Sequence, residues 1–230
     1  MSYNSYSQFL NQNNVVTGTK ESASVKEVGN RIQQAVERYM RERGLSDRLD
    51  NFDWDFNLVR DNQVNAWCMP GGKVVFYTGI LPICQNETGI AVVMGHEVAH
   101  AIAEHGNERM SQQLVAQGLM TAGQVAMAMK EEPKMTDQLI LQAAGVGAQV
   151  GLLAFSRNQE SEADEMGLIF MAMAGYDPRK APDFWERMSA ASNGQAPPEF
   201  LSTHPSHGRR ISDLNANMPK ALEYYRNSSN

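Results

Sequence analysis

Residues 91–103, AVVMGHEVAHAIA, constrain the fold more than any other stretch of the chain. Ile90, Val92, Val93, Met94, Val98, Ala99, Ala101 and Ile102 make a helix that is apolar almost all round, and such a helix is buried. His96, Glu97 and His100 go into the interior with it, and buried polar groups need partners. At HExxH spacing the histidines lie four apart on one helical face, where both imidazoles can reach one tetrahedral zinc ion. Glu97 stands beside them without being a ligand, in the place of a general base toward a water that zinc has acidified. The alternative is a chance HExxH on a surface helix, and the apolar flanks argue against it.

At 230 residues and 42% hydrophobic composition the chain can bury one substantial core. No compositional shift marks a boundary, so one domain over residues 1–230 is expected, with residues 1–20 polar, Asn-rich and partly extended or disordered. A formal charge of -6 without any Lys or Arg cluster excludes a nucleic-acid surface and leaves polypeptides as the expected partners. Cys68 and Cys84 have no CxxC spacing; buried thiols are favoured over one disulfide. The N-terminal residues lack a basic region followed by an apolar stretch, so no signal peptide is read in them, although an exported chain without its leader would begin the same way. Residues 139–155 are short for a bilayer and interrupted by Gln142 and Gln149, which favours a buried or interfacial helix over a membrane span.

Periodicity predicts a helix capped by Ser22 or Ser24 and running to Arg43, with Val25, Val28, Ile32, Val36, Tyr39 and Met40 as its buried stripe. Strands follow at 54–58, 65–69 and 73–78, the last two joined by the turn Pro70-Gly71-Gly72 into a small antiparallel sheet. Asn86 is placed to cap the HExxH helix, with Glu87 in its first turn. Gly106 and Asn107 are expected to break that helix, and further helices are expected at 108–129, 135–155, 158–174 and 179–192. Residues 193–198 read as a loop, and residues 202–210 lead into a terminal amphipathic segment.

Two histidines leave zinc short of a protein ligand, since catalytic sites use three. His105 lies nearly opposite His96 around the helix and cannot join the same ion. No HxxGxxH follows His100, which removes the metzincin pattern. The segment SRNQESEADEMG offers four acids; alone it reads as a solvated face at a helix start, yet Glu160 and Asp164 share one face. That is the arrangement of a ligand with a carboxylate that orients a metal-bound imidazole.

With HExxH at residues 96–100, ExxxD at 160–164, NAWCMPGGKVVFYTGIL, AGYDP and STHPSHGRRI in this order, the chain resembles the HtpX-like and CaaX-prenyl-protease-like zinc metallopeptidases. These are gluzincins, and the resemblance implies an α+β, mostly helical, zincin-like fold with a small antiparallel sheet beside the HExxH helix. It also implies one zinc ion per chain on His96, His100 and Glu160, with Asp164 behind them and Glu97 as base. The integral-membrane branches carry several spanning helices and this chain shows none, so it looks like the soluble, mainly bacterial branch. Periplasm or cell envelope is then the expected location, with cytoplasm as the alternative, and membrane association would come only through a missing N-terminal anchor.

Proteases commonly hold peptides by strand addition, and the resemblance tips residues 65–69 from an internal hairpin strand towards an exposed edge, with Asn65, Ala66 and Trp67 binding substrate. It also puts its histidine before proline on His204 and its arginine six residues later on Arg210, whereas His207 and Arg209 do not match. Either His204 or Arg210 could stabilise an oxyanion, and a neutral His204 could instead occupy the open zinc position until substrate displaces it. The expected function is zinc-dependent endopeptidase action on unfolded or misassembled proteins. The alternative is a chaperone-like peptide-binding module of the same fold, with an occluded or structural zinc; binding alone would not need Glu97.

Overall fold

The computed structural model describes residues 3–130, 135–191, 198–204 and 209–228. Its contacts divide the chain into two compact units, Met1–Ala103 with Glu160–Asn230, and Glu104–Gln159. In chain order the elements are α1 (Tyr3–Gln12), β1 (Val15–Val16), α2 (Lys20–Glu42), β2 (Asp55–Val59), β3 (Ala66–Met69), β4 (Lys73–Tyr77), α3 (Leu81–Cys84) and α4 (Glu87–Ile102). Then come α5 (His105–Ala128), α6 (Met135–Met173), α7 (Ala181–Ala190), α8 (Glu199–Thr203) and α9 (Arg210–Ser228). The fold is mostly helical with a small sheet adjacent to helices, as the sequence leads one to expect.

The sheet has four strands in the order β1-β2-β4-β3. β1 with β2 and β3 with β4 are antiparallel, whereas the central pair, β2 with β4, is parallel, with Phe56 opposite Val74 and Leu58 opposite Phe76. Phe56, Leu58, Val74 and Phe76 belong to the main core together with α2 and α4. The predicted stripe of α2 is buried at Val25, Val28, Ile32, Val36 and Met40, and Gly29 lets the helix settle onto the Phe56 ring. Its cap is Thr19, in a reciprocal capping box with Ser22, rather than Ser22 or Ser24.

The opposite face of the sheet overturns the expected extended N-terminus. Residues 3–12 form α1, and Tyr6 and Phe9 meet the Trp67 ring edge-on at 6.3 and 5.0 Å. Tyr6, Phe9 and Leu10 recur at helical spacing, and burying them against Val59 and Val75 outweighs the poor helix propensity of the Asn- and Ser-rich residues between them.

Helix α4 starts at Asn86, whose side chain accepts the Gly89 N–H at 3.1 Å. It ends earlier than Gly106: Glu104 adopts φ 58°, a left-handed backbone that stops one helix before the next begins. Residues 135–173 form one helix rather than two, because the polar stretch Ser156-Arg157-Asn158 contains no Gly or Pro to break it. Toward the C-terminus, Pro178–Lys180 is a single 3-10 turn leading into α7. Residues 193–197 of the expected loop, and Pro205, His207 and Gly208, lie outside the described residues. Among the described residues no helix is long and apolar enough to cross a membrane. Cys68 and Cys84 are free thiols, and burial pushes that of Cys84 up to about 12.

Candidate metal centre

Glycines set where α4 and α6 cross. A Cβ on Gly95 would stand 2.7 Å from the Gly167 carbonyl oxygen, and one on Gly167 would stand 2.8 Å from the His96 nitrogen. The two backbones therefore touch one residue before His96 and three after Asp164, which brings HExxH and ExxxD face to face. Gly167→Ala would meet main chain that cannot move aside. It should cost about 1–3 kcal/mol of stability in urea unfolding, as overpacking does, and weaken metal binding with it.

At the crossing, four side chains gather: His96, His100, Glu160 and His204 present ligand atoms that all lie within 4.8 Å of one another. His96 Nε2 is 3.1 Å from His100 Nε2 and 3.3 Å from Glu160 Oε2, and His100 Nε2 is 3.4 Å from Glu160 Oε1. Ligands about 2.0–2.1 Å from a tetrahedral zinc stand about 3.3 Å apart, so these spacings fit one ion. The donor set, imidazole nitrogens with one carboxylate, is the kind zinc takes in catalytic sites. His105 is not in the cluster.

Asp164 lies against His96. Its Oδ1 is 3.0 Å from His96 Nδ1, which directs Nε2 of that ring at the ion position. Burial alone would lower the His96 pKa, but the Asp164 and Glu160 carboxylates outweigh it and raise it to about 9, so metal binding must displace a proton there. Burial is the first cause that keeps His100 well below its usual value, leaving that imidazole neutral and ready to ligate. Glu160 is 1% exposed; burial opposes its ionisation, but hydrogen bonds with His100, His204 and His96 prevail and hold it below the usual carboxylate range. Asp164→Asn keeps the volume but weakens the grip on the His96 tautomer. A zinc titration should show an affinity loss of about 10-fold to 100-fold.

Arg210 is buried, and its guanidinium is committed within the cluster. Nε donates to Asp164 Oδ2 at 2.7 Å, Nη2 to Glu160 Oε2 at 3.0 Å and Nη1 to the His204 carbonyl at 3.4 Å. It therefore sits as the counter-ion of two buried carboxylates, with no nitrogen turned to an oxyanion. His204 is close to the metal cluster: its Nδ1 is 3.2 Å from both His96 Nε2 and Glu160 Oε2, and its Nε2 is 3.2 Å from Glu97 Oε1.

Glu97 is 3% exposed, and burial raises its pKa above the usual value. Its carboxylate accepts the Cys68 main-chain N–H, while Oε1 makes no hydrogen bond. The Cys68 contact ties α4 to β3, the edge of the sheet. Tyr77 N–H donates to the Asn65 carbonyl, so the odd residues of the strand pair with β4 while Ala66 and Cys68 turn their main-chain groups to the open edge. Asn65 Oδ1 covers the Ala66 N–H at 2.9 Å. Trp67 points its ring to the α1 face, away from the core that α4 shares.

Sequence reasoning missed Trp185, Phe200 and the Cys68 N–H. The Trp185 ring lies 3.9 Å below the Arg210 guanidinium and 5.4 Å from the His96 ring, and Phe200 packs on His204 at 4.9 Å. Trp185 and the Cys68 N–H act through contacts between distant segments, for which local spacing carries no signal, whereas Phe200 lies one helical turn before His204.

Residues 27–218 match the family described as Peptidase family M48. The chain is 35% identical over 192 residues to mitochondrial metalloendopeptidase OMA1 of Schizosaccharomyces pombe, covering 83% of this chain and 53% of that protein. It is 36% identical over 187 residues to the protein of the same name from Saccharomyces cerevisiae, covering 78% and 51%. Beta-barrel assembly-enhancing protease of Yersinia pestis is 31% identical over 160 residues, covering 69% and 33%. The chain thus spans about half the length, or less, of these curated relatives. With a family match over most of the sequence and a cluster of zinc-ligand character where the two motifs cross, this chain belongs to peptidase family M48, the gluzincin-like zinc metallopeptidases.

Proposed function

We propose that the chain is a zinc-dependent endopeptidase that hydrolyses peptide bonds in unfolded or misassembled proteins. The observation that carries this reading is the set of spacings among His96 Nε2, His100 Nε2 and the Glu160 carboxylate, 3.1 to 3.4 Å, with the buried Glu97 carboxylate on the same helix as the two histidines. Zinc, when bound, supplies a Lewis acid that acidifies a water and polarises the scissile carbonyl. Glu97 takes the proton at Oε1, its other oxygen steadied by Cys68, and burial gives it the raised proton affinity a general base needs. Asp164 keeps the His96 tautomer, and Arg210 balances the two carboxylates. The names of the relatives, metalloendopeptidase and beta-barrel assembly-enhancing protease, support the peptidase activity. We place the chain in the branch without spanning helices, acting in the periplasm or cell envelope.

Substrate joins the open edge of β3 in extended form. Because the Cys68 and Ala66 N–H groups are engaged, the strand offers the carbonyls of these two residues, and a substrate must donate its own N–H groups to them. Asn65 and Trp67 serve this edge indirectly, one by covering an N–H and the other by anchoring the strand to α1.

His204 stands between Glu97 and the ligands, which supports the occluding role over oxyanion stabilisation. His204→Ala should then raise casein cleavage by about tenfold, since the wild-type site is open only part of the time. A fall in turnover would instead assign His204 to the transition state. The reading as a whole is tested by metal analysis with casein digestion. One zinc per chain, cleavage abolished by a chelator and restored by zinc is the expected result; zinc-loaded protein that cuts nothing, wild type and His204→Ala alike, would overturn it.

A further inference from the structure

The unit Glu104–Gln159 is a helical hairpin made of α5 and the first part of α6. Its sequence contains no Asp, Glu, Lys or Arg from Met110 to Met129 or from Gln138 to Ser156. Each uncharged run is about 30 Å long as a helix. Among its described side chains no apolar one is buried; only His105 and Gln159 are. The helices meet closely at Gly123, facing Leu141, and at Gly145, facing Met120. Between them lies an open groove of about 440 Å³ with an apolar lining that includes Val115, Leu119, Leu152 and Phe155.

Two helices make a single layer, and a layer with an apolar face needs another against it. Ten large apolar side chains of this unit, Met110 and Leu119 among them, are 52 to 80% exposed. They do not share one face: Leu119 lines the groove with Val115, Leu152 and Phe155, whereas Leu153, two residues and about 200° from Phe155, lies on the other side of α6. The groove face, about 30 Å long and about two helix diameters wide, covers roughly 600 Å², near the ~800 Å² per partner of a standard interface. A lipid surface fits poorly: among the described residues no helix is apolar enough to span, no Lys or Arg lies along either run to hold anionic headgroups, and Gln112, Gln113, Gln117, Gln124 and Gln142 would meet hydrocarbon. A charged protein partner would find no opposite charge. The same hairpin of another molecule fits, because two uncharged faces meet across a two-fold axis without like-charge repulsion and glutamines on both sides can hydrogen-bond to each other.

We propose that a second copy of this chain docks on the hairpin, the two hairpins forming a four-helix bundle that joins the copies as a dimer. This does not depend on the peptidase reading. Sedimentation equilibrium of the full chain, up to about 100 μM, should give twice the 25.5 kDa chain mass. Val115→Glu with Leu119→Glu places carboxylates along the groove and should raise the dimer dissociation constant by on the order of 100-fold or more. Both side chains are already 60 to 70% exposed, so the single chain loses little by the change; Ser111→Lys with Ala116→Lys, which line the same groove, is the second pair should the first lose helicity. Leu45→Glu, on the other unit, should leave the mass unchanged. A wild-type monomer throughout the range, or a dimer insensitive to both pairs, overturns the proposal. So does a monomer that floats with phosphatidylcholine–phosphatidylglycerol vesicles, which would assign the face to lipid.

Discussion

Glu97→Gln should keep zinc and the fold while casein cleavage falls by about 10²-fold to 10⁴-fold, the contribution of general-base catalysis. Glutamine has the same volume in a site where Glu97 is 3% exposed, and its amide oxygen can still accept the Cys68 N–H. What it cannot do is take a proton at the position of Oε1, the oxygen that makes no hydrogen bond. Metal content measured beside the digestion separates a lost base from a lost ion. The experiment is best repeated with His204→Ala also present, because His204 Nε2 lies 3.2 Å from that oxygen and an occluding histidine could mask part of the effect. Turnover comparable to wild type, with zinc confirmed, would take the base role from Glu97; no cleavage by either protein would make the chain a peptide-binding module of the same fold.

What could be read beforehand follows the range of the interactions. The buried helix, its Asn86 cap and the shared face of Glu160 and Asp164 depend on neighbours within a few residues, and local pattern expresses them. The parallel pairing of β2 with β4 does not, because β3 and its turn lie between them in sequence and nothing local states which edges meet. The same holds for α1, whose Tyr6 and Phe9 are explained only by the Trp67 ring 61 and 58 residues later. Glu104 is a different case. A non-glycine residue with φ 58° is a rare choice, so the glycine two positions on looked the better helix stop. Of the site, the residue types pointed to zinc, but the commitment of Arg210 to Glu160 and Asp164 became apparent only when the fold brought residues about 50 positions apart into one buried cluster.

Glu160→Ala should lower zinc affinity by more than the roughly 100-fold upper range of a supporting group such as Asp164, while Glu162→Ala leaves it nearly unchanged. The two acids are two residues apart, about 200° around the helix, so only one can face the histidines. Glu160 is 1% exposed within 3.4 Å of both His96 and His100, whereas Glu162 is exposed. Alanine also removes a partner of Arg210, whose Nη2 lies 3.0 Å from Glu160 Oε2, so a loss of stability could imitate a loss of binding. Glu160→Gln separates the two, because it preserves volume and an oxygen for Arg210 while removing the anionic ligand. Competition against a zinc chelator reads the affinity directly, and unfolding with and without metal reads it again. At zinc 100 times its dissociation constant the wild type should gain about 2.7 kcal/mol from the metal, and at that concentration Glu160→Gln should gain almost none. Should Glu162→Ala lose the metal and Glu160→Gln retain it, the ligand would lie on the other face of α6 and the site as described here would be wrong.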